Sequence, residues 1–421
     1  MTEASTRPVL LERSWFKDRA VSTDTEPSGS TPLSYWLLIV FLVLLYANTP
    51  FILPAADIVH PAALVGGGAL LALLAENLFG GRKFIAAWPE GGILLAFLGG
   101  AALSCLTALW PGHAVDALSD LAKMSLVYFF LVNAGRSDRL VRGVMWTMVV
   151  GGLFPAIGTL RNYHAGNLQE GRAAWVGIFA NPNEVAYSLV ILLPLAAYLA
   201  MRSGWLARMF LAGASVLYLL ATFVTFSRGG LVGIAVVGSI FVWRTFGVGM
   251  RFLLLAVLVC GLIFAGRYWS RGEDFSHLDN DVSFQQRIAT SQAGWGMFMD
   301  HPLTGVGLGC SVIAWPLYAP QGLYTRGALV THNTVIQVFG ETGLLGAIPF
   351  LLFLAFGISR ARRVARQPEA RGIGVALEAA LWGLVACGMS GGYVLTWFPY
   401  LLLGLTSAAY RMTVEPVEES E

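Results

Sequence analysis

The residues best suited to chemistry lie in one short stretch, residues 329–343, LVTHNTVIQVFGETG. On a helix, Asn333, Gln337 and Glu341 follow one another at i, i+4 spacing and form a narrow polar stripe. His332 would occupy the first turn, where the positive end of the helix dipole disfavours an imidazolium ion. We therefore expect a neutral ring that can accept a proton. The alternative is a histidine that merely caps the end of a helix.

The predicted face that carries this stretch is also rich in arginine. The planar fork of arginine binds two oxygens of a phosphate or carboxylate at once, whereas lysine offers a point charge. Arginines here suit a phosphate-bearing substrate, although each could instead pair with one of the acidic residues on the same face. The basic residues are Arg161, Arg172, Arg228, Arg267, Arg271, Arg287 and Arg326, and the acidic residues are Glu170, Glu273, Asp274, Asp279, Asp281 and Asp300.

Two further segments carry polar residues to this face. In IFANPNEVAY, residues 178–187, a capped helix start explains Asn181 and Pro182 but leaves the carboxylate of Glu184 unexplained. In TFSRGG, residues 225–230, the glycines predict a tight turn that holds Arg228 as a phosphate clamp. A plain hairpin turn with an arginine that extends to the membrane surface is the alternative.

Residues 300–309, DHPLTGVGLG, carry regularly spaced glycines at positions 305, 307 and 309. They follow a predicted helix and no βαβ unit surrounds them, so we exclude nucleotide binding and predict a compact loop. Histidines 164, 277 and 301 on the same face leave a metal site open, but no HxH or HExxH spacing supports one. We predict neither a metal nor another cofactor, and the four cysteines indicate no disulfide framework.

The composition decides which elements position these residues. Of 421 residues, 56% are hydrophobic and 12% are charged, against about 25% charged in soluble domains. The apolar runs are continuous and long enough to cross a bilayer as helices, and they lack the alternation of a β-barrel. The sequence thus predicts an all-α polytopic integral membrane protein. We place about twelve transmembrane helices at residues 33–53, 58–78, 91–110, 121–135, 143–160, 183–201, 206–224, 229–243, 251–267, 333–358, 373–390 and 393–410.

The distribution of lysine and arginine sets the orientation. One side of this topology receives most of the basic residues, and the positive-inside rule makes that side the cytoplasm. The predicted divisions are a cytoplasmic N-terminal tail (1–32), helices 1–9 (33–267), a large periplasmic loop (268–330), helices 10–12 (331–410) and a cytoplasmic C-terminal tail (411–421). His332 then lies on the periplasmic face of a bacterial inner membrane.

The long loop is itself expected to contain a helix. Within SFQQRIATSQAGWGMF, Phe284, Ile288, Trp295 and Phe298 share one helical face, with Arg287 on its flank. Such a helix would lie over the membrane surface as a lid.

The motifs NPNEVA, FSRGG, the run from Arg287 to Gly309, and THNTVIQVFGETG together resemble the bacterial O-antigen ligase family. Its relatives are the O-antigen polymerases and the protein O-oligosaccharyltransferases. The resemblance implies about twelve membrane helices, a large periplasmic loop, and transfer of a glycan from undecaprenyl pyrophosphate to a sugar hydroxyl of lipid A-core. It also implies that neither a nucleotide nor a metal is needed.

By motif, His332 falls where the family has its essential histidine, which would act as general base in an inverting transfer. Arg228 and Arg287 fall where the family has essential arginines, and Arg161 is carried over as a further substrate-binding residue. We predict that Arg172, Asn181 and Asn333 also contact the substrate.

Two alternative functions remain open at this point. An O-antigen polymerase or another oligosaccharyltransferase of the family would use the same donor with a different acceptor. A transporter of an anionic solute would also suit arginines on the outer face, but transporters carry charged groups near the bilayer midplane. Here the arginines cluster at one surface instead.

Overall fold

The computed structural model describes residues 31–52, 55, 60–80, 84–135, 137–169, 171–268, 282–320 and 329–414. Most of the two predicted cytoplasmic tails, and Arg271 and Arg326 of the predicted periplasmic loop, lie outside these ranges.

The described chain is almost entirely helical. The helices are α1 (Leu33–Ala47), α2 (Thr49–Ile52), α3 (Pro61–Phe79), α4 (Glu90–Leu106), α5 (Pro111–Ala134), α6 (Asp138–Gly151), α7 (Leu153–His164), α8 (Pro182–Arg202), α9 (Trp205–Val224), α10 (Arg228–Thr245), α11 (Val248–Tyr268), α12 (Val282–Asp300), α13 (Ser311–Tyr318), α14 (Thr334–Val364), α15 (Arg371–Gly388) and α16 (Trp397–Thr413). A 3-10 turn spans Gly177–Phe179. The short strands β1 (Leu168–Gln169) and β2 (Arg172–Ala173) pair antiparallel.

Six helical segments within the described ranges are long and apolar enough to cross a membrane, namely α3, α6 with α7, α8, α9, α14 and α15. Helix α1, helix α4 and most of α11 are shorter apolar helices. The chain is therefore an all-α polytopic membrane protein, as predicted. Helix α5 already starts at Pro111, before residue 121 where the fourth predicted span begins. Most of its first residues are exposed, and Lys123 pairs with Asp120 (2.9 Å), so the helix extends beyond the apolar stretch on which the predicted span was placed.

Helix α8 occupies the centre of the bundle. It packs against α9, α10 and α15, and nearly every side chain from Val185 to Leu192 is buried. Asn181 caps its start and Pro182 occupies its first turn, as the sequence predicted. A helix of 21 residues is about 30 Å long, so the two ends of α8 mark opposite ends of the bundle.

Helix α14 is broken at Gly343, whose φ of 58° and ψ of −158° are not helical. Residues 302–307 lie against this break and form main-chain hydrogen bonds on both sides of it. The bonds run from Val306 N to Gly340 O (2.9 Å), Gly307 N to Glu341 O (3.0 Å), Leu344 N to Pro302 O (2.8 Å) and Leu345 N to Leu303 O (3.1 Å). Irregular backbone at membrane depth must be buried in protein. The predicted compact loop is confirmed, and it completes the broken helix.

Glu341 anchors this inserted loop. Its side chain is 1% exposed. It accepts hydrogen bonds from the Gly309 N–H (3.0 Å), the Ser311 hydroxyl (2.5 Å) and the Gln337 amide (3.3 Å). The predicted contact between Gln337 and Glu341 is therefore present, and the role of this carboxylate is structural.

Helix α12 forms where the periodicity predicted it, but the predicted apolar stripe is not its buried face. Ala289, Ala293 and Met297 are buried, while Ile288 is 45% and Trp295 52% exposed. The small residues face inward because α12 packs closely on α14: a side chain at Gly294 would lie 2.6 Å from Ile336. A role as a lid stays a prediction.

At the other end of the bundle, buried carboxylates are matched by arginines. Glu378 lies between Arg244 (2.7 Å) and Arg362 (2.8 Å), and Glu90 pairs with Arg360. The charge at Glu378 is therefore held by two cations.

Candidate functional site

The starts of α8, α10 and α14 meet at one end of the bundle. Ser227, the N-cap of α10, donates its hydroxyl to the side-chain oxygen of Asn183 in the first turn of α8 (2.8 Å). One turn further along α8, the Tyr187 hydroxyl lies 2.8 Å from the Ser390 hydroxyl. Polar contacts thus join α8 both to α10 and to the segment that follows α15.

That segment, residues 389–396, is called the outer segment here, and it also holds the start of α14. The Thr334 hydroxyl donates to Gly391 O (2.7 Å) and accepts from Tyr393 N (3.0 Å). The amide of Asn333 donates to Met389 O (3.3 Å). The outer segment therefore ties together the three helix starts.

The two glycines of TFSRGG serve this convergence by allowing close packing. They lie inside α10, whereas the left-handed backbone of the turn falls on Phe226 (φ 48°). A side chain at Gly229 would collide with the Tyr187 and Ser390 hydroxyls. Of the two roles that glycine can have here, the glycines do not shape the turn, but they do let α8 and the outer segment approach α10 closely.

Arg172 is fixed beside these helix starts. Its side chain is 8% exposed. Its Nε donates to Thr225 O (2.8 Å) and one terminal nitrogen donates to the Asn183 side chain (2.6 Å). Both acceptors are neutral, and these two bonds fix the guanidinium in place.

His332 lies just outside α14, one residue before the N-cap Asn333, rather than in the first turn as predicted. Burial of the ring, together with the charges of Arg287 and Arg172, lowers its pKa from 6.5 to about 4. The expectation of a neutral imidazole agrees with this shift. Its main cause is burial beside arginines rather than the helix dipole.

Arg287 completes a group of three with Arg172 and His332. It lies near the start of α12, within electrostatic reach of both the His332 ring and the Tyr187 hydroxyl. Within the part of the chain that the structure describes, Arg287 forms no ion pair with a carboxylate. The alternative of a simple salt bridge is therefore not realised for Arg287 among those residues.

The other predicted substrate-binding residues are more dispersed. Arg228 is the first residue of α10 and is partly buried next to Ser227. Arg161 is exposed at the C-terminal end of α7, which packs against the strand that carries Arg172. The side chain of Arg267 is outside the described part of the chain.

Asn181 and Asn333 are helix caps. The side-chain oxygen of Asn181 accepts from Asn183 N (2.8 Å), and that of Asn333 accepts from Val335 N and Ile336 N (3.0 and 3.1 Å). These oxygens are already engaged by the backbone. The two asparagines therefore position Asn183 and His332.

Sequence reasoning missed several residues that build the site. Asn183, Tyr187 and Ser390 received no role, although the NPNEVAY motif contained two of them. Glu184 was left unexplained. Its side chain is largely shielded from solvent, and among the described residues it has no hydrogen-bond or ion-pair partner. It lies three residues before Tyr187, on the same face of α8.

The arrangement is suited to binding an anion. Three helix N-termini, each with a positive dipole end, converge next to Arg172 and Arg287. A partly buried histidine, neutral near pH 7, lies beside them and can accept a proton. No group of three His, Cys, Asp or Glu side chains that could hold a metal ion occurs within the described ranges.

The fold and this site define a class: an integral membrane protein with a histidine and two arginines close together at one end of a helical bundle. Residues 213–351 match the model of the family described as O-antigen ligase, and this segment contains Arg228, Arg287 and His332. This segment therefore corresponds to the core of the O-antigen ligase family. The match supports a membrane glycosyltransferase function of this ligase and polymerase type. No curated protein matches the chain.

Proposed function

We propose that the protein is an O-antigen ligase of lipopolysaccharide biosynthesis. It transfers O-antigen polysaccharide from undecaprenyl pyrophosphate to a sugar hydroxyl of lipid A-core, on the periplasmic face of the inner membrane. The observation that carries this proposal is the neutral His332 beside Arg172 and Arg287, within the family core and at the meeting point of three helix N-termini.

The proposed chemistry is a single displacement. The acceptor oxygen forms a bond to the anomeric carbon while the bond from that carbon to the pyrophosphate oxygen breaks, so configuration is inverted. The acceptor proton passes to the His332 ring, and undecaprenyl pyrophosphate leaves with added negative charge. Fixed arginines stabilise that charge more in the transition state than in the ground state, which accelerates the reaction.

Glu184 is proposed to bind a sugar hydroxyl of the acceptor. A shielded carboxyl group without a partner among the described residues can form hydrogen bonds to a ligand, and the acceptor sugar is the part of the complex away from the anionic pyrophosphate. We expect Glu184→Gln to raise the KM for acceptor by about two- to tenfold, since a hydrogen bond contributes roughly 0.5–1.5 kcal/mol. The KM for donor should be unchanged. Steady-state kinetics with each substrate varied in turn test this, and an equal rise in both KM values would contradict it.

The pH dependence follows from the lowered pKa of His332. Because the ring must be neutral to act as a base, kcat/KM should stay high on acidification and fall only near pH 4. Bound pyrophosphate offsets the positive charges of Arg172 and Arg287, so the pKa of His332 should be higher in the enzyme–substrate complex than in the free enzyme. The acidic limb of kcat should therefore lie at higher pH than that of kcat/KM. If kcat falls on acidification at the same pH as kcat/KM, or at a lower pH, that result would argue against a diphosphate next to His332.

A reconstituted assay separates the candidate functions. Purified protein is supplied with polymeric donor and lipid A-core, and the products are separated by size, with His332→Ala protein as the blank. A ligase yields one joined lipopolysaccharide product. A glycan that lengthens on its lipid carrier would instead identify a polymerase. Uptake of an anion into liposomes without chemical change would identify a transporter.

A further inference from the structure

A polar cavity of about 300 Å³ lies at the opposite end of the bundle from His332. The start of α1, the start of α6 and the end of α8 surround it. Since α8 runs from Asn183 in the candidate site to Arg202 in this cavity, the two are separated by about 30 Å, the thickness of a bilayer core. The positive-inside rule predicts that this end faces the cytoplasm.

The lining of the cavity combines cations with aromatic rings. Among the described residues that line it, Arg139, Arg142 and Arg202 are charged and none is a carboxylate. Trp36 stands at the edge and is exposed, while Trp146 stacks on Phe210 outside the cavity (6.4 Å between ring centroids). Tryptophan at the end of a helical bundle is typical of the depth of lipid headgroups.

The two carboxylates nearest to the cavity lie outside its lining. Arg142 pairs with Asp138 (2.9 Å), one turn earlier on α6. Arg202 also borders an adjoining cavity that contains Asp138 and Glu369. Arg139 is exposed toward solvent. Guanidinium groups that line one cavity are suited to bind the oxygens of a phosphate group.

A row of exposed apolar side chains runs along α1 away from the cavity, and it is called the apolar track. Trp36, Val40 and Val43 are exposed and recur at intervals of four and three residues, so they line one face of the helix. A soluble anion would gain nothing from this track. A lipid whose headgroup occupies the cavity could lay an acyl chain along it.

We propose that this cavity binds the phosphate headgroup of an anionic phospholipid in the leaflet opposite the candidate active site. Arg139, Arg142 and Arg202 contact the phosphate oxygens, and Trp36 packs against the glycerol backbone and the upper acyl chain. Basic cavities between membrane helices on the cytoplasmic side are suited to such headgroups. The site is independent of the proposed transfer reaction.

The test uses purified full-length protein in detergent, titrated with dioctanoyl phosphatidylglycerol, dioctanoyl phosphatidylcholine or inorganic phosphate. We expect phosphatidylglycerol to raise Tm and to be retained in native mass spectra, with no rise from the other two. Arg139→Gln should weaken binding by about fivefold, and Arg139→Gln with Arg202→Gln by about 25-fold. Arg366→Gln, which removes an exposed arginine at the same end but outside the cavity, is the matched control.

Three outcomes would overturn the proposal. Equal affinity in wild type and the double variant would show that the arginines do not bind the lipid. An equal loss in Arg366→Gln would show a general charge effect. A Tm rise from inorganic phosphate as large as that from phosphatidylglycerol would assign the cavity to a free anion. If the double variant does not fold, the single variant Arg139→Gln still tests the proposal. Arg139 is exposed, so its replacement should leave folding intact.

Discussion

Replacing His332 with alanine is expected to lower the rate of glycan transfer by about 10²–10⁴-fold, the contribution of a positioned general base. The imidazole is the neutral proton acceptor next to Arg172 and Arg287, and alanine leaves the acceptor hydroxyl with no base. Donor binding should be nearly intact, since the arginines and helix starts that hold pyrophosphate are unchanged. Single-turnover transfer, together with donor binding measured separately, checks both parts.

His164→Ala is the matched control for this variant. His164 is an exposed histidine at the end of α7, on the face predicted to be periplasmic, and it should retain the wild-type rate. The backbone near residue 332 is held by Asn333 and Thr334, so the His332 variant should keep its Tm within a few degrees. A His332→Ala protein that is folded and transfers glycan at the wild-type rate would remove the histidine from the mechanism.

Arg287→Lys is expected to reduce kcat by about 10²–10³-fold even though the positive charge is kept. A guanidinium binds two pyrophosphate oxygens through its planar fork, whereas an ammonium group binds as a point charge. The same reasoning applies to Arg228→Lys. Transfer kinetics with saturating donor give the measurement, because the loss should appear in kcat rather than in the KM for donor.

Arg366→Lys, far from the site at the C-terminal end of α14, provides the control and should have no effect. Arg172→Lys is less informative, because the hydrogen bonds of Arg172 to Thr225 and Asn183 also hold the site together. Wild-type kcat in Arg287→Lys and Arg228→Lys would show that paired geometry is unimportant, and the pyrophosphate clamp would have to be abandoned.

The features predicted well from sequence were those with a local cause. Continuous apolar runs predicted the helices, and Asn181 with Pro182 predicted the start of α8. The glycines at 305, 307 and 309 predicted a loop, and their positive φ angles agree. Each of these depends on residues close together in the chain.

The features that sequence reasoning missed depend on contacts between distant segments. Asn183 reaches Ser227, and Tyr187 reaches Ser390, across 44 and 203 residues. No periodicity encodes such pairs. The inward face of α12 could not be predicted for the same reason: close approach to α14 favours Ala289 and Ala293 over the larger apolar residues. The pKa of His332 likewise reflects burial and arginines from two other parts of the chain.

The main-chain hydrogen bonds between residues 302–307 and the two halves of α14 form a pairing register, comparable to that of two adjacent strands. Adding or removing one residue between Pro302 and Gly309 would shift every bond and move Glu341 away from its donors. Homologous chains should therefore tolerate changes of length on either side of this loop but none within it. The spacing from Pro302 to Gly309, more than the identity of its side chains, is the quantity that evolution must keep constant.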